Sequence, residues 1–276
     1  MSIIENFTSI KLFTAACAGY GCTLFLYCIV IASGKRTLLK ATVFFISVSF
    51  ITHTLGLVSR WIEFNHPPLA NMYEYLTAFA WFIAIAYFAV LRLVKNALVE
   101  ALTVVVILLF MSAASLLPKE GTDQLMPALR SYWLQIHVTM AAASEGAFAV
   151  GFVSSILYLL KIKLPDAKRF ALKLPTIATL DMITYRSIAV GYPLFTIGAL
   201  FAGAVWAHRT WGTFWSWDPK ETCSLVVWII YSAYLHLRIV RGSQGKAPHI
   251  LSIIGFTIAV LTFLSSLILG GLHSYL

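Results

Sequence analysis

Three tryptophans stand within seven residues in the stretch WGTFWSWDPKET, which begins at Trp211. Trp211 and Trp215 share a face if the stretch is helical, and Trp215 and Trp217 share one if it is extended. Either conformation builds a clustered aromatic surface, which suits a flat, apolar, conjugated ligand. Gly212 would let the backbone approach that ligand closely. The competing interpretation is an aromatic belt, because tryptophan is favoured at the headgroup level of a bilayer.

The charged end of the same stretch predicts the start of a helix. Asp218 precedes a proline, which disfavours helical backbone at Asp218. Pro219 suits the first helical position, and Glu221 falls at the third, as in a capping box with an aspartate cap. This local role is sufficient to explain both carboxylates. Contact of Asp218 with a bound ligand is the alternative.

Composition defines the elements that must position these residues. Of 276 residues, 60% are hydrophobic and 11% are charged, and the mean hydropathy is +0.85. Because a bilayer core needs about 20 apolar residues per helical span, the sequence predicts an all-α polytopic membrane protein that forms a single integral domain, 1–276. The eight predicted spans are 12–33, 41–62, 76–94, 98–117, 138–160, 187–207, 222–240 and 249–271.

Basic residues predict the orientation of these spans. Most of the twenty Lys and Arg residues fall in the loops after the first, third, fifth and seventh spans, and the positive-inside rule places such loops in the cytoplasm. Both termini and the tryptophan-rich loop 207–222 are therefore expected on the outer, periplasmic or lumenal, face. The polar stretch 161–186 becomes a cytoplasmic connection. The net charge of +9 does not indicate nucleic-acid binding, because the basic residues are dispersed and not gathered in a patch.

The histidines are the candidate metal ligands, and the topology divides them by depth. A flat ligand at the outer face is a quinone, a porphyrin or a lipid, and neutral imidazole is the usual protein ligand of haem iron. His137 and His273 lie at outer ends of spans and His208 lies in the tryptophan-rich loop, so two imidazoles can approach opposite faces of one porphyrin. An interfacial polar role is the alternative for each of them.

Two histidines lie inside predicted spans, where an ionisable group is a functional hypothesis by default. His236 is placed toward the cytoplasmic end of the seventh span, where a cofactor entering from the inside would first be bound. His53 lies in the second span. The alternative for both is a hydrogen bond across helices. The four cysteines show no framework spacing and are predicted to be small buried apolar side chains.

These motifs together resemble a known family. The tryptophan stretch is similar to the WWD signature of the haem-handling proteins of cytochrome c assembly. Other stretches, in the same order, are similar to the CcsA/ResC subunit of the cytochrome c synthase; the shorter CcmC and the longer CcmF fit less well. These stretches are RWIEFNHPPLANMYEY, YWLQIHVTMAAASEGAFAVGF, LDMITYRSIAVGYPLFTIGALFAGAVWA, VVWIIYSAYLHLR and GGLHSYL.

The resemblance implies a role in cytochrome c biogenesis. It implies that the protein presents haem b at the outer face and, with a CcsB/ResB-like membrane subunit, joins the haem vinyl groups to the thiols of the Cys-x-x-Cys-His site of apocytochrome c. The external axial ligands of the family match His137 and His273, its haem-binding loop matches Trp211–Glu221, and its intramembrane histidine matches His236. The second intramembrane histidine of the family belongs to the partner, so His53 inherits no role.

The chemistry that this implies needs little acid–base machinery, so the sequence predicts no catalytic side chain. Binding and orientation are sufficient for vinyl groups and reduced thiols that are held together. The candidate partners of the haem propionates are Arg60, Arg130, Arg209 and Lys220.

Two other functions remain open from the sequence. The first is a haem transporter that releases its cargo without forming a bond, and the second is a membrane regulator of the HemX type. The bacterial inner membrane is the expected location, and the thylakoid membrane is the alternative; in either one the protein is in contact with membrane lipid.

Overall fold

The computed structural model describes residues 8–119, 125–164 and 173–269. Within these ranges every regular element is a helix, which confirms the all-α membrane class. The α-helices are α1 (Thr8–Ser33), α2 (Leu39–Phe64), α3 (Met72–Leu93), α4 (Ala97–Ser115), α5 (Tyr132–Lys163), α6 (Ile177–Phe195), α7 (Gly203–Trp211), α8 (Pro219–Ile239) and α9 (Lys246–Leu269). A π-helix, Thr196–Ala202, joins α6 to α7.

Seven helical stretches in the described ranges are long and apolar enough to cross a bilayer, and the described side chains of α9 form a shorter apolar stretch, Lys246–Thr262. The prediction of the sixth span, 187–207, was too short. The helical run there extends over Ile177–Trp211, because Thr176 caps it by accepting a hydrogen bond from the Thr179 amide. Residues 177–186 are therefore helical, and their place on the cytoplasmic side stays a prediction. The count of eight spans and the orientation of the termini stay predictions.

The chain divides into two compact units, Met1–Met126 and Pro127–Leu276. In the first unit, α1 packs along α2 and α4, and α3 packs along α4. Buried polar groups in this unit bind one another. Tyr27 donates a 2.6 Å hydrogen bond to Glu100, and Arg60 forms a 3.0 Å ion pair with Glu74 at almost zero exposure.

In the second unit, α5 packs along α6 and α9, and α8 packs along α9. Asp181 on α6 holds the polar residues of three helices together. Its carboxylate lies 2.7 Å from the Arg238 guanidinium and 3.2 Å from His249 Nε2. Ser155 on α5 completes the cluster at 3.2 Å from His249 Nδ1. The polar residues of 177–186 can thus lie inside a span, because their charge is neutralised there.

The prediction that the four cysteines are buried was wrong. Cys22 and Cys28 are exposed and Cys17 and Cys223 are half-buried. An apolar thiol on the outer surface of a membrane helix contacts lipid, so burial within protein is not needed to shield it from water.

We expect Asp181→Asn to destabilise the second unit, because it leaves the nearly buried Arg238 charge without a counter-ion. Breaking a buried pair from one side costs about 3–5 kcal/mol. The thermal unfolding midpoint of purified protein in detergent should therefore fall. The double variant Asp181→Asn, Arg238→Met removes both charges and should recover most of the loss. An Asp181→Asn midpoint equal to that of the wild type would contradict the assignment.

Candidate functional site

The tryptophan-rich loop is shorter than predicted. Trp211 is the last residue of α7, and Gly212 ends the helix with a left-handed φ of 81°, which glycine adopts without strain. The irregular chain extends only to Asp218, since α8 begins at Pro219. Of the predicted loop 207–222, both ends are therefore helical. Gly212 has a structural task, the end of α7, that is independent of any ligand.

The predicted capping box at the start of α8 is confirmed. The Asp218 carboxylate accepts a 2.9 Å hydrogen bond from the Lys220 amide, and the Glu221 carboxylate accepts one from the Asp218 amide. Glu221 also accepts bonds from the amide and hydroxyl of Ser216 at 2.8 and 3.0 Å. Both carboxylates are thus used to fix the loop on the helix, and Asp218 is buried.

The tryptophans form two contacting pairs. Trp215 and Trp217 meet edge to face with ring centroids 5.8 Å apart. Trp211 instead packs against Trp206, one turn earlier on α7, at 4.8 Å. Trp217 is 69% exposed and has a φ of 60°. A left-handed tryptophan is strained, and such strain is concentrated at functional sites.

His137 lies in the second turn of α5 and is oriented by a backbone carbonyl. Its Nδ1 is 3.0 Å from the Gly198 oxygen in the π-helix. Because a carbonyl can only accept, Nδ1 carries the proton and the Nε2 lone pair is left for a ligand. A hydrogen bond of this kind, from the second ring nitrogen to a carbonyl, is the usual support of a metal-binding histidine. The imidazole also lies parallel to Trp206, at 6.0 Å and 11°.

Close packing against the π-helix fixes the position of His137. A Cβ atom at Gly203 would lie 2.8 Å from His137 Nδ1, and one at Gly198 would lie 2.3 Å from Met140 Cβ. Side chains at these two positions would displace α5. The two glycines therefore allow α5 to approach close enough for the His137–Gly198 hydrogen bond.

The other histidines among the candidate ligands are His236, His208 and His273. His236 is exposed on α8, and a rise of about 1.5 Å per residue puts it roughly 25 Å along the helix from Pro219. His208 is exposed and stacks on Phe214 at 4.1 Å. His273 lies outside the described residues. The second unit thus contains every described residue of the predicted site: Trp211, Gly212, Trp215, Trp217, Asp218, His137 and His236.

Three polar side chains of the first unit, His53, His66 and Arg60, have partners within that unit. His53 is buried with its Nδ1 3.3 Å from the Tyr20 hydroxyl, which agrees with a hydrogen bond across helices. His66 is buried, and its Nδ1 donates to the Pro67 carbonyl at 2.9 Å. Arg60, one of the propionate candidates, is fully buried beside Glu74.

Comparison with known proteins decides the family. The model of the Cytochrome C assembly protein family matches residues 69–273. The chain belongs to this family.

Individual members of the cytochrome c assembly family support the assignment. The chain is 35% identical to the cytochrome c biogenesis protein CcsA of Pyropia yezoensis, with 82% of this chain and 83% of that protein covered. It is 36% identical to the CcsA protein of Synechococcus elongatus, with coverage of 79% and 81%. The predicted CcsA-type resemblance is confirmed, and with it a role in cytochrome c biogenesis.

A solved structure shares the fold. It is described as the cytochrome c haem lyase CcmF and superimposes with a TM-score of 0.68 at 14% identity. The match covers 95% of this chain but only 49% of that chain, so the present chain spans about half its length. At this identity, the likeness concerns the helical architecture alone.

The sequence reasoning missed Trp206, Gly198 and the π-helix. Trp206 stands five residues before Trp211 and was read as part of an apolar span. A signal for the π-helix was present: Pro193, Gly198 and Gly203 interrupt the apolar run, and proline and glycine in a membrane helix often mark an irregular turn. The contact of Gly198 with His137 had no local signal, because 61 residues separate them.

We expect Asp218→Ala to lower the free energy of unfolding by about 1 kcal/mol, since it removes the side-chain cap of α8. Asp218→Asn keeps an oxygen that can accept from the Lys220 amide, so it should retain most of the stability. Thermal unfolding of the purified variants measures both. Equal destabilisation by the two substitutions would show that the carboxylate charge, and not the cap, stabilises the loop.

Proposed function

We propose that this chain binds haem at the outer membrane face and presents it for covalent attachment to apocytochrome c. The observation that carries the proposal is the His137 imidazole. Its Nδ1–H is donated to Gly198, and its ring lies beside Trp206 and its neighbour Trp211. Trp206 is buried and Trp211 is half-buried, so a preset tautomer stands beside an aromatic pair that is partly open, which suits a porphyrin and its iron.

The substrate of the site is haem b, whose vinyl groups are still free. His137 binds the iron from one face, and His273, assigned by the family resemblance, binds it from the other. Trp215 and Trp217 provide a further apolar surface at the start of α8. Lys220 lies in the first turn of α8, directly after the loop, which makes it the propionate partner that we favour among the predicted cations.

The reaction is the addition of a cysteine thiol across a haem vinyl group. The sulfur forms a bond to one vinyl carbon, and the thiol hydrogen is transferred to the other, so atoms balance without a leaving group. Orientation of reactants supplies about 7–11 kcal/mol in favourable cases. The residues of this chain bind and orient the haem, and no side chain is assigned to proton transfer.

His236 has a different task in this proposal. It is exposed on an apolar helix face, with Ile229 and Val240 also exposed, and an imidazole in hydrocarbon needs a polar or metal partner. We assign it to the arrival of haem from the membrane or the cytoplasmic side. Its distance along α8 from the loop separates it from the outer ligands.

Attachment requires a second membrane protein and the cytochrome. We infer a CcsB/ResB-like subunit as the partner and the Cys-x-x-Cys-His site of apocytochrome c as the acceptor. The bacterial inner membrane is the location that we propose, with the thylakoid membrane as the alternative. The intact tryptophan signature argues against a HemX-type regulator. Co-expression with the partner and the apocytochrome distinguishes attachment from transport. If haem is attached, it stays on the cytochrome in a denaturing gel; if haem is only transported, it does not.

The proposal requires the tryptophan-rich loop to face the outside. Thr213 is exposed in that loop and Gln244 is exposed between α8 and α9. In a variant without native cysteines, Thr213→Cys should react with a membrane-impermeant maleimide in intact spheroplasts. Gln244→Cys, the matched control, should react only after lysis. The reverse pattern would invert the topology and overturn the proposed function.

His137→Ala tests the iron ligand itself. The variant should lose haem or its six-coordinate absorption spectrum during purification, because one axial ligand is missing. Millimolar imidazole should restore the spectrum, since the small ligand fits the space that the side chain leaves. His208→Ala is the control at the same end of the unit and should retain haem. If His137→Ala keeps the wild-type haem content and spectrum, His137 is not a ligand.

A further inference from the structure

The π-helix between α6 and α7 is hydrogen-bonded to a residue of α8, Trp228, that the proposed site does not include. A run of seven residues, Thr196–Ala202, is long for a π-helix, which usually occurs as a single wide turn and often at a functional site. It is held on one side by α5, through the His137–Gly198 hydrogen bond. On the other side, the Trp228 indole on α8 donates a 3.0 Å hydrogen bond to the Thr196 hydroxyl.

The conformation of this segment determines where the Gly198 carbonyl lies. The amide of Gly203 bonds to Gly198, five residues earlier, as a π-helix requires. In an α-helix the same amide would bond to Ala199. Such a change of one residue in register rotates the chain on one side of the segment by about 100° relative to the chain on the other. The Gly198 carbonyl could then not stay beside His137 while Trp206 and Trp211 on α7 keep their present positions.

Thr196 is the first residue of the π-helix, and its hydroxyl has two partners. It donates a 2.9 Å bond to the Tyr192 carbonyl and accepts the bond from Trp228. The Trp228 ring also stacks on Tyr192 at 6.0 Å and 23°, and the Tyr192 hydroxyl lies 2.8 Å from Ser232 on α8. Trp228 is half-buried, and an indole N–H without a partner in apolar surroundings is costly, so this contact holds the start of the π-helix against α8.

We propose that Trp228 and Thr196 are positioning residues for the haem ligand His137. The Trp228–Thr196 hydrogen bond holds the π-helix, the π-helix presents the Gly198 carbonyl, and this carbonyl orients the imidazole. The inference rests on the proposed function, because it gives His137 an iron to bind. Neither Trp228 nor Thr196 is placed in contact with haem.

The first unit contains a matched control. Trp81 donates a 2.8 Å hydrogen bond to the hydroxyl of Thr54, and its ring stacks on Phe50 at 5.6 Å and 13°. This pair also joins two helices, α2 and α3, but it contacts no π-helix. Trp81→Phe and Thr54→Val therefore remove the same chemical groups at a place where His137 is not involved.

The experiment compares Trp228→Phe and Thr196→Val with Trp81→Phe and Thr54→Val. Loss of the hydrogen bond that orients a metal ligand typically weakens metal binding 10–100-fold. The first two variants loosen the segment that presents the Gly198 carbonyl to His137, so they should bind haem about tenfold more weakly and show an altered ligand-field spectrum. The double variant should be no worse than either single one, because both act through one hydrogen bond. Thr196→Ser keeps the hydroxyl and should keep the wild-type spectrum.

If Trp228 and Thr196 only stabilise the fold, their variants should behave like those of Trp81 and Thr54. The four variants would then lower the thermal unfolding midpoint by similar amounts, and any haem that they retain would have the wild-type spectrum. That outcome overturns the inference. If His137→Ala also keeps its spectrum, the proposed function itself fails; if His137→Ala loses it while Trp228→Phe and Thr196→Val do not, only the positioning role is wrong.

Discussion

The hydrogen bond from His137 Nδ1 to the Gly198 carbonyl is the contact on which the site depends. It selects one imidazole tautomer, and it needs a carbonyl in a membrane helix that can accept a second bond. The Gly198 carbonyl accepts the Gly203 amide, five residues later, and it accepts His137 as well. Two glycines let α5 approach close enough for this second bond. The irregular turn is thus part of the construction of the site.

The bilayer explains why so many other polar residues turned out to be structural. Within the hydrocarbon core a polar side chain has no water to bind, so it finds a protein partner. Arg60 with Glu74 and Asp181 with Arg238 are neutralised within their own units. An intramembrane charge is therefore a weak indication of chemistry when its partner is present. His236 differs from these groups, because it lies on the exposed side of its helix.

Local signals in the sequence predicted the local structure well. The proline and carboxylates of DPKET predicted the capping box because all its partners lie within a few residues, and long apolar runs predicted the membrane class. Prediction failed where distant residues decide the outcome. The early start of α6 has a local cap at Thr176, but its polar residue Asp181 is neutralised by Arg238, 57 residues away, and the π-helix packs against α5 and α8. Residue type, position and family resemblance mark His137 as a candidate ligand, but its orientation required the fold.

At Trp217, a strained backbone conformation is held in place by the capping box of α8. Its left-handed backbone is strained by about 1–3 kcal/mol, and glycine would remove that strain, so the tryptophan side chain must contribute something that glycine lacks. The neighbours over-determine the conformation: Glu221 binds the amide of Asp218, and Thr222 donates to the Trp217 carbonyl at 3.2 Å. The capping box therefore does more than begin a helix. By holding a strained residue with its ring 69% exposed, it keeps an apolar surface open beside the loop, available to a flat ligand or to the headgroup region of the bilayer.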